Sequence, residues 1–150
     1  MNNISKNGFE LKVYPVGEAR EVYRVFQIRG SATFEELCYE ILDQFDFDYD
    51  HLYEFCMNNR PYSDENIQSA REAWSDRHDA SVITLNDEGL VKGRKFLFHY
   101  DYGDDWMFNV TVAKVLDDFD SKYAITISTK GKLYQYGSDS DDDEDFFIEE

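Results

Sequence analysis

Four side chains that could bind a metal ion or transfer a proton lie close together in the second half of the sequence. They are His99, Asp101, Asp104 and Asp105. Hard divalent cations prefer carboxylate oxygens as ligands, and an imidazole can act as a ligand or as a general base. The spacing does not follow the Asp-x-Asp-x-Asp-Gly pattern of a calcium-binding loop. One hypothesis is therefore a small metal-dependent hydrolase that uses His99, Asp101 and Asp104.

The same segment also has the composition of a tight turn between two strands. In this interpretation the carboxylates of Asp101 and Asp104 accept hydrogen bonds from backbone amides, and Gly103 adopts a positive φ. Trp106 follows the turn, and its side chain is expected to be buried in the core. This structural interpretation requires no ligand, and we favour it.

A third interpretation makes the turn a partner-binding loop. In an extended strand, Tyr100 and Tyr102 would share one face, while His99 and Asp101 would share the other. The binding residues of this interpretation include two aromatic residues near the C-terminus, and the full set is Tyr100, Asp101, Tyr102, Asp104, Asp105, Phe146 and Phe147.

Other reactive residue types have structural interpretations. His51 begins a strand after an acidic loop, so it could pair with Asp48 or Asp50, or act as an acid or base. We expect it to fix the connection between a helix and a strand. Cys38 lies on an apolar helix face and is expected to be a buried, inert thiol. The sequence has no nucleophile elbow, phosphate-binding loop or dinucleotide fingerprint, so we expect no cofactor and assign no catalytic or metal-binding residue.

The chain is strongly acidic, with 32 aspartate and glutamate residues against 15 lysine and arginine residues among 150. Eight of the acidic residues follow residue 137, where no basic residue occurs, so residues 1–136 carry a formal charge of −9. A DNA-binding protein has to neutralise phosphates with lysine and arginine. The charge therefore disfavours direct binding to nucleic acid and favours a partner with a basic surface.

The last residues, 138–150, are expected to form an acidic, disordered tail after a single domain at 1–137, because a block of like charges repels itself. Phe146, Phe147 and Ile148 interrupt the acidic run. An apolar cluster among acidic residues is typical of a docking peptide. The alternative, which we favour, is a solubilising tail.

Hydrophobic patterning predicts a single α+β domain with a mixed β-sheet. Strands are expected at 9–13 and 22–28, which form a hairpin, at 51–57, and at 123–128. Two alternating runs, 96–102 and 106–113, predict a second hairpin around a Gly-Asp-Asp turn.

One helix is indicated clearly by its first residues. Thr33 and Glu36 form a capping-box pattern, and one apolar face follows at Phe34, Leu37, Cys38, Ile41, Leu42 and Phe45. Hairpin, helix and strand in this order make a β-grasp-like opening. A second, polar helix is expected within 62–80, with Ile67, Ala70 and Trp74 on one stripe. A single helical turn ended by Gly89 is expected at 84–89.

Five short segments of the chain resemble one known family. They are Thr33-Phe34-Glu35-Glu36-Leu37, Asp50-His51-Leu52-Tyr53-Glu54-Phe55, Tyr100-Asp101-Tyr102-Gly103-Asp104-Asp105-Trp106, Lys130-Gly131 and Gln135-Tyr136. In this order they resemble the Ri-plasmid open-reading-frame-three-like family, also called the insertion-element passenger family, from about residue 9 to residue 136. The resemblance implies a compact α+β domain found in plasmids, mobile elements and bacterial chromosomes. It implies no catalytic residue, because the family has no established activity.

The charge and the lack of a catalytic pattern favour a non-enzymatic interaction module that binds a basic protein partner. A DNA-mimic-like regulator linked to mobile elements is one form of this function. The metal-dependent hydrolase is the alternative. The sequence has neither an apolar run of eighteen residues nor a signal-peptide pattern, so we expect a cytoplasmic protein without membrane contact.

Overall fold

Residues 6–136, the part of the chain that the computed structural model describes, form one seven-stranded sheet and one α-helix. The elements are β1 (Gly8–Pro15), β2 (Tyr23–Arg29), α1 (Phe34–Gln44), β3 (Tyr53–Cys56), β4 (Ile67–Gln68), β5 (Lys95–Tyr100), β6 (Trp106–Leu116) and β7 (Ile125–Lys130). The strand order is β4-β3-β5-β6-β1-β2-β7. The predicted single α+β domain is confirmed. These strands all pair antiparallel, where the sequence suggested a mixed sheet.

The first hairpin is confirmed. β1 pairs with β2 from Gly8 opposite Arg29 to Val13 opposite Arg24. Hairpin, helix and strand follow one another as expected, but β3 pairs with β4 and β5, so β5 and β6 separate it from β1. The long strand β6 therefore joins the two halves of the sheet, because it pairs with β1 on one side and with β5 on the other.

The helix α1 begins at the predicted capping box. The Thr33 hydroxyl accepts a hydrogen bond from the Glu36 amide at 3.1 Å, and the Glu36 carboxylate accepts one from the Thr33 amide at 2.9 Å. The predicted apolar face is buried against one face of the sheet. Phe34 packs edge-on against Phe55 with ring centroids 5.2 Å apart, and each such buried side chain contributes roughly 1.5–3 kcal/mol. Among the described residues, no helix has the length and apolar character that a membrane crossing requires.

The second hairpin is also confirmed. β5 pairs with β6 from Lys95 opposite Thr111 to Tyr100 opposite Trp106. The residues that alternate toward α1 are fully buried, among them Phe98 opposite Phe108. This pairing places the acidic Tyr100–Trp106 turn at one end of the sheet.

The predicted helix within 62–80 is wrong. Ile67 forms the short strand β4 and pairs with Phe55, which buries Ile67 to 2% exposure. The chain then runs through turns to a short 3₁₀ helix at Asp76–His78. Trp74 remains 69% exposed and stacks on His78, with ring centroids 4.5 Å apart. Pairing with a distant strand buries Ile67 better than a polar surface helix would. The single turn at Leu85–Glu88 is confirmed, with Gly89 at φ 60°.

Arg24 ties three parts of the fold together. Its guanidinium donates to the carbonyl oxygens of Gln44, Lys130 and Gly131 at 2.8–2.9 Å. It also lies over the Phe45 ring, 4.6 Å from the centroid. The end of α1, the strand β2 and the end of β7 are thus joined through one side chain.

Candidate functional site

The turn after β5 is shaped mainly by Asp101. Its carboxylate oxygen Oδ1 accepts hydrogen bonds from the amides of Gly103 at 3.2 Å and Asp104 at 3.4 Å. The turn prediction is confirmed for Asp101 and wrong for Asp104, whose carboxylate accepts no hydrogen bond from a backbone amide of the described residues. The expected positive φ at Gly103 is wrong, because Asp101 (φ 63°) and Asp105 (φ 53°) take the left-handed conformation instead. Aspartate tolerates this conformation better than most residues, because its short side chain can bond the local backbone.

The left-handed turn at Asp101 also changes which side chains share a face. His99 faces Glu54 and Asp105, whereas the Asp101 carboxylate lies 3.6 Å from the His51 imidazole. The expectation that His99 and Asp101 share a face is therefore wrong. The three residues of the hydrolase hypothesis are not brought together, since His99 contacts Glu54 and Asp105, Asp101 contacts His51, and Asp104 is exposed on the turn. Within residues 6–136, no group of three or more His, Cys, Asp or Glu side chains is arranged to hold a metal ion.

The two tyrosines of the turn are also separated. Tyr100 is fully buried, and its hydroxyl donates to the carbonyl oxygen of Asp48. Tyr102 packs against the His99 ring, and its hydroxyl donates to the Glu72 carboxylate at 2.5 Å. The expected common face is wrong for the same reason: the strand ends at Tyr100.

A buried ion pair lies beneath this turn. His99 Nδ1 is 2.8 Å from a Glu54 carboxylate oxygen, and His99 Nε2 is 2.7 Å from Asp105. The side chains of His99 and Glu54 are 0% and 1% exposed. Burial alone would lower the pKa of His99, but its hydrogen bonds to Glu54 and Asp105 outweigh burial and raise it. The pKa of Glu54 is lowered because hydrogen bonds from His99, the Tyr62 amide and Asn66 outweigh its burial.

The buried pair of His99 and Glu54 supports the turn from the interior of the protein. The sequence analysis did not identify Glu54 as part of the site. Glu54 lies 45 residues before His99, so no local pattern connects them. A signal was nevertheless present, because Glu54 is a charged residue between two apolar neighbours of a predicted buried strand. Such a residue needs an internal partner.

His51 lies at the centre of a second cluster, nearer the surface. His51 Nε2 is 2.8 Å from the Tyr136 hydroxyl, which donates to Asp48 at 2.8 Å. The hydrogen bond from Tyr136 holds the pKa of Asp48 below its usual value, and the same bond raises the pKa of Tyr136 to about 12. Gln135 bonds both the amide and the carboxylate of Asp48. His51 therefore joins the helix-to-strand connection to the chain after β7.

This cluster unites three of the segments that carry the family resemblance, namely those that contain His51, Asp101 and Tyr136. Its polar groups bond mainly to one another, so the arrangement is suited to shaping a surface. Trp106 borders the same region and is partly buried, with its ring edge-on to Phe47 at 4.8 Å. Trp106 thus packs against the margin of the core and is not buried in its centre, as the sequence had predicted it to be.

The surface beside this cluster carries several acidic residues that form no ion pair with a lysine or arginine of the described chain. We use the name acidic surface for five carboxylates of α1 and the loop that follows it: Glu35, Glu40, Asp43, Asp46 and Asp50. Between residues 30 and 59 the sequence has eight acidic residues and no lysine or arginine. Among the ion pairs of the described chain, none joins one of these five carboxylates to a lysine or arginine. The acidic surface is therefore a region of net negative charge, in which Arg24 lies near enough to Asp46 for their charges to interact.

Two exposed tyrosines lie within the acidic surface. Tyr39 and Tyr49 are 41% and 52% exposed, and their ring centroids are 5.0 Å apart. The Tyr49 hydroxyl donates to Asp43, and this hydrogen bond raises the pKa of Tyr49 to about 12. Aromatic contact area thus lies directly beside the carboxylates. Phe146 and Phe147, assigned to binding from the sequence, and the tail at 138–150 lie outside the described residues.

Comparison with known proteins gives a family and a fold. The model of the family described as plasmid pRiA4b ORF-3-like protein matches residues 7–141. The crystal structure of a protein of unknown function from Methanosarcina mazei Go1 has a similar fold, with a TM-score of 0.67 and 23% sequence identity. The match covers 84% of this chain and 71% of that chain. At this identity the likeness concerns the fold alone. A comparison with curated proteins gives no match.

Proposed function

This chain belongs to the family of plasmid pRiA4b ORF-3-like proteins, and we propose that it is an interaction module whose acidic surface binds a protein with a basic surface. The observation that carries this proposal is the net negative charge of the acidic surface, whose five carboxylates form no ion pair with a lysine or arginine of the described chain, next to the exposed rings of Tyr39 and Tyr49. Complementary charge accelerates encounter and selects partners, while tyrosine provides contact area.

The internal bonding of the neighbouring clusters supports a binding function over a catalytic one. The imidazole of His99 is enclosed between two carboxylates, and that of His51 contacts Tyr136. Groups held in this way stiffen the surface. A rigid surface loses less conformational entropy when a partner binds.

A nucleic-acid-binding protein is the partner class that fits the charge best. Such proteins present lysine and arginine to bind phosphates, and a row of carboxylates offers them a similar field. In this form the module is a DNA-mimic-like regulator linked to mobile elements. Direct binding of this chain to nucleic acid is disfavoured, because residues 1–136 carry a formal charge of −9.

The test is affinity capture of partners by the full chain from bacterial extract, followed by measurement of the dissociation constant at 50 and 200 mM salt. One triple variant neutralises the acidic surface: Asp43→Asn, Asp46→Asn and Asp50→Asn. The matched control, Asp117→Asn, Asp118→Asn and Asp120→Asn, changes the net charge equally in the exposed loop after β6. Both should retain the wild-type circular dichroism spectrum.

We expect a partner whose binding weakens with salt, and a loss of at least tenfold in affinity for the first triple variant only. Failure to capture any salt-sensitive partner would overturn the proposal. Equal losses in both triple variants would also overturn it, because they would show a response to net charge without a specific surface.

A further inference from the structure

A small pocket opens into the acidic surface beside α1. It has a volume of about 90 Å³ and lies between α1, the connection to β3 and residues 69–71. Cys38, Leu42 and Leu52 contribute apolar walls. At roughly 30 Å³ for each water molecule in the liquid, the space equals about three waters. It is large enough for a compact polar group and the end of an aliphatic stem. We call it the α1 pocket.

Two residues that line the α1 pocket have a buried hydroxyl oxygen without a hydrogen-bond partner among the described residues: Tyr53 (Oη) and Ser69 (Oγ). Each residue is only 5% exposed. Burial raises the pKa of Tyr53, and Cys38 and Glu35, which also line the pocket, raise it further. Buried polar groups in native proteins nearly always have partners. The two hydroxyls therefore indicate a site for a polar group that enters from outside.

The charges around the α1 pocket favour a cation. Glu35 lines it, is half-buried, and forms no ion pair with a lysine or arginine in the described chain. The exposed rings of Tyr39 and Tyr49 also line it, and aromatic faces attract ammonium and guanidinium groups. Arg71 is the opposing charge, but its residue is exposed and surrounded by solvent.

We propose that the α1 pocket binds an alkylammonium group, and that in the complex this group is a lysine side chain of the basic partner. This inference rests on the proposed function. A lysine ammonium has three donors and no acceptor. Tyr53 Oη, Ser69 Oγ and the Glu35 carboxylate supply three acceptors, and the apolar walls beside Leu42 contact the methylene stem.

The test uses n-butylammonium, which reproduces the lysine side chain, and n-butanol, which has the same stem without charge. Each is titrated into the full chain while amide chemical shifts are recorded by NMR. We expect saturable shifts at residues 35–39 and 69–71 with n-butylammonium and none with n-butanol. Saturation by both probes would show an uncharged cavity, and saturation by neither would show a site filled only by water. Either result would overturn the proposal.

Variants test the direction of each contribution. Tyr53→Phe combined with Ser69→Ala removes only two unpartnered hydroxyls, so the fold should be retained while affinity for n-butylammonium falls at least tenfold. Glu35→Gln should also weaken binding and provides a second route if the double variant does not fold. Arg71→Gln should strengthen binding, since it removes the opposing charge. Tyr123→Phe, at a site 73% exposed, is the control and should change nothing. If neither Glu35→Gln nor Arg71→Gln changes the affinity for n-butylammonium, the assignment of the α1 pocket as a cation site is wrong.

A final arm separates a partner's lysine from a free amine. Acetylation of the captured partner's lysines removes the ammonium group that would enter the α1 pocket. Glu35→Gln should then no longer lower the affinity for the acetylated partner. If acetylation leaves the effect of Glu35→Gln unchanged, the assignment to a partner's lysine is wrong. The n-butylammonium titration needs no partner, so its failure is distinguishable from failure of the capture experiment.

Discussion

Glu54→Gln tests the buried ion pair that supports the candidate site. The substitution keeps the size of the side chain but removes its charge beside the fully buried His99. Glu54 accepts hydrogen bonds from His99, the Tyr62 amide and Asn66 at 2.8–2.9 Å. A glutamine has one oxygen for these donors and turns its amide group toward at least one of them. The variant therefore loses an ion pair and gains a contact between two donors.

The expected loss is large for a chain of this size. Removing one partner of a buried ion pair costs about 3–5 kcal/mol of unfolding free energy. Domains of this kind have total stabilities of roughly 5–15 kcal/mol. The melting temperature should therefore fall by roughly 10–20 °C. The double variant Glu54→Gln, His99→Gln should cost less than the sum of the two single variants, because the pair acts as a unit.

Urea unfolding at pH 6, followed by tryptophan fluorescence, measures these free energies. The matched control is Glu18→Gln, which makes the same chemical change at an exposed position and should lie within about 0.5 kcal/mol of wild type. A loss below about 1 kcal/mol for Glu54→Gln would refute the reasoning. It would mean that Glu54 and His99 do not form a charged, desolvated pair.

Three further predictions concern the helix, the margin of the core and the pH dependence of stability. Thr33→Ala should lower the unfolding free energy by about 1 kcal/mol, because the Glu36 amide loses its acceptor; urea titration measures this. Trp106→Ala should lower the free energy of unfolding by about 3 kcal/mol, the low end for loss of a tryptophan, because the ring is only partly buried. An unchanged melting temperature would contradict the packing of Trp106 on Phe47. The pKa of His99, followed by NMR, should lie above its ordinary value of about 6.5. The stability that His99 contributes should then be fully present below about pH 6.5 and be lost as the pH rises through the raised pKa. Urea titrations between pH 6 and 9 would detect this fall in the free energy of unfolding, and His99→Gln should remove it.

Elements defined by neighbouring residues could be predicted from the sequence. Thr33 and Glu36 stand three positions apart, so the start of α1 is a local property. The hairpin of β5 and β6 likewise depends on two alternating runs around one turn. Both predictions are confirmed because the interactions that decide them lie within a few residues of each other.

Elements defined by distant contacts could not be predicted in this way. Ile67 leaves the expected helix because it pairs with Phe55 on another strand. The candidate site has the same limitation: His99 depends on Glu54, and His51 lies 85 residues before Tyr136. The prediction that His99 and Asp101 share one face was wrong for a local reason. The left-handed conformation at Asp101 ends the alternation of side chains that β5 had established.

Arg24 has a consequence for the order of events during protein synthesis. Two of its carbonyl partners, Lys130 and Gly131, lie 106 and 107 residues later in the chain. A nascent chain that has already formed the first hairpin and α1 leaves this guanidinium only partly bonded until β7 emerges from the ribosome. Residue 131 must therefore be synthesised before β2 can gain β7 as its neighbour, and a chain terminated before β7 leaves the ribosome with β2 as the edge strand of the sheet.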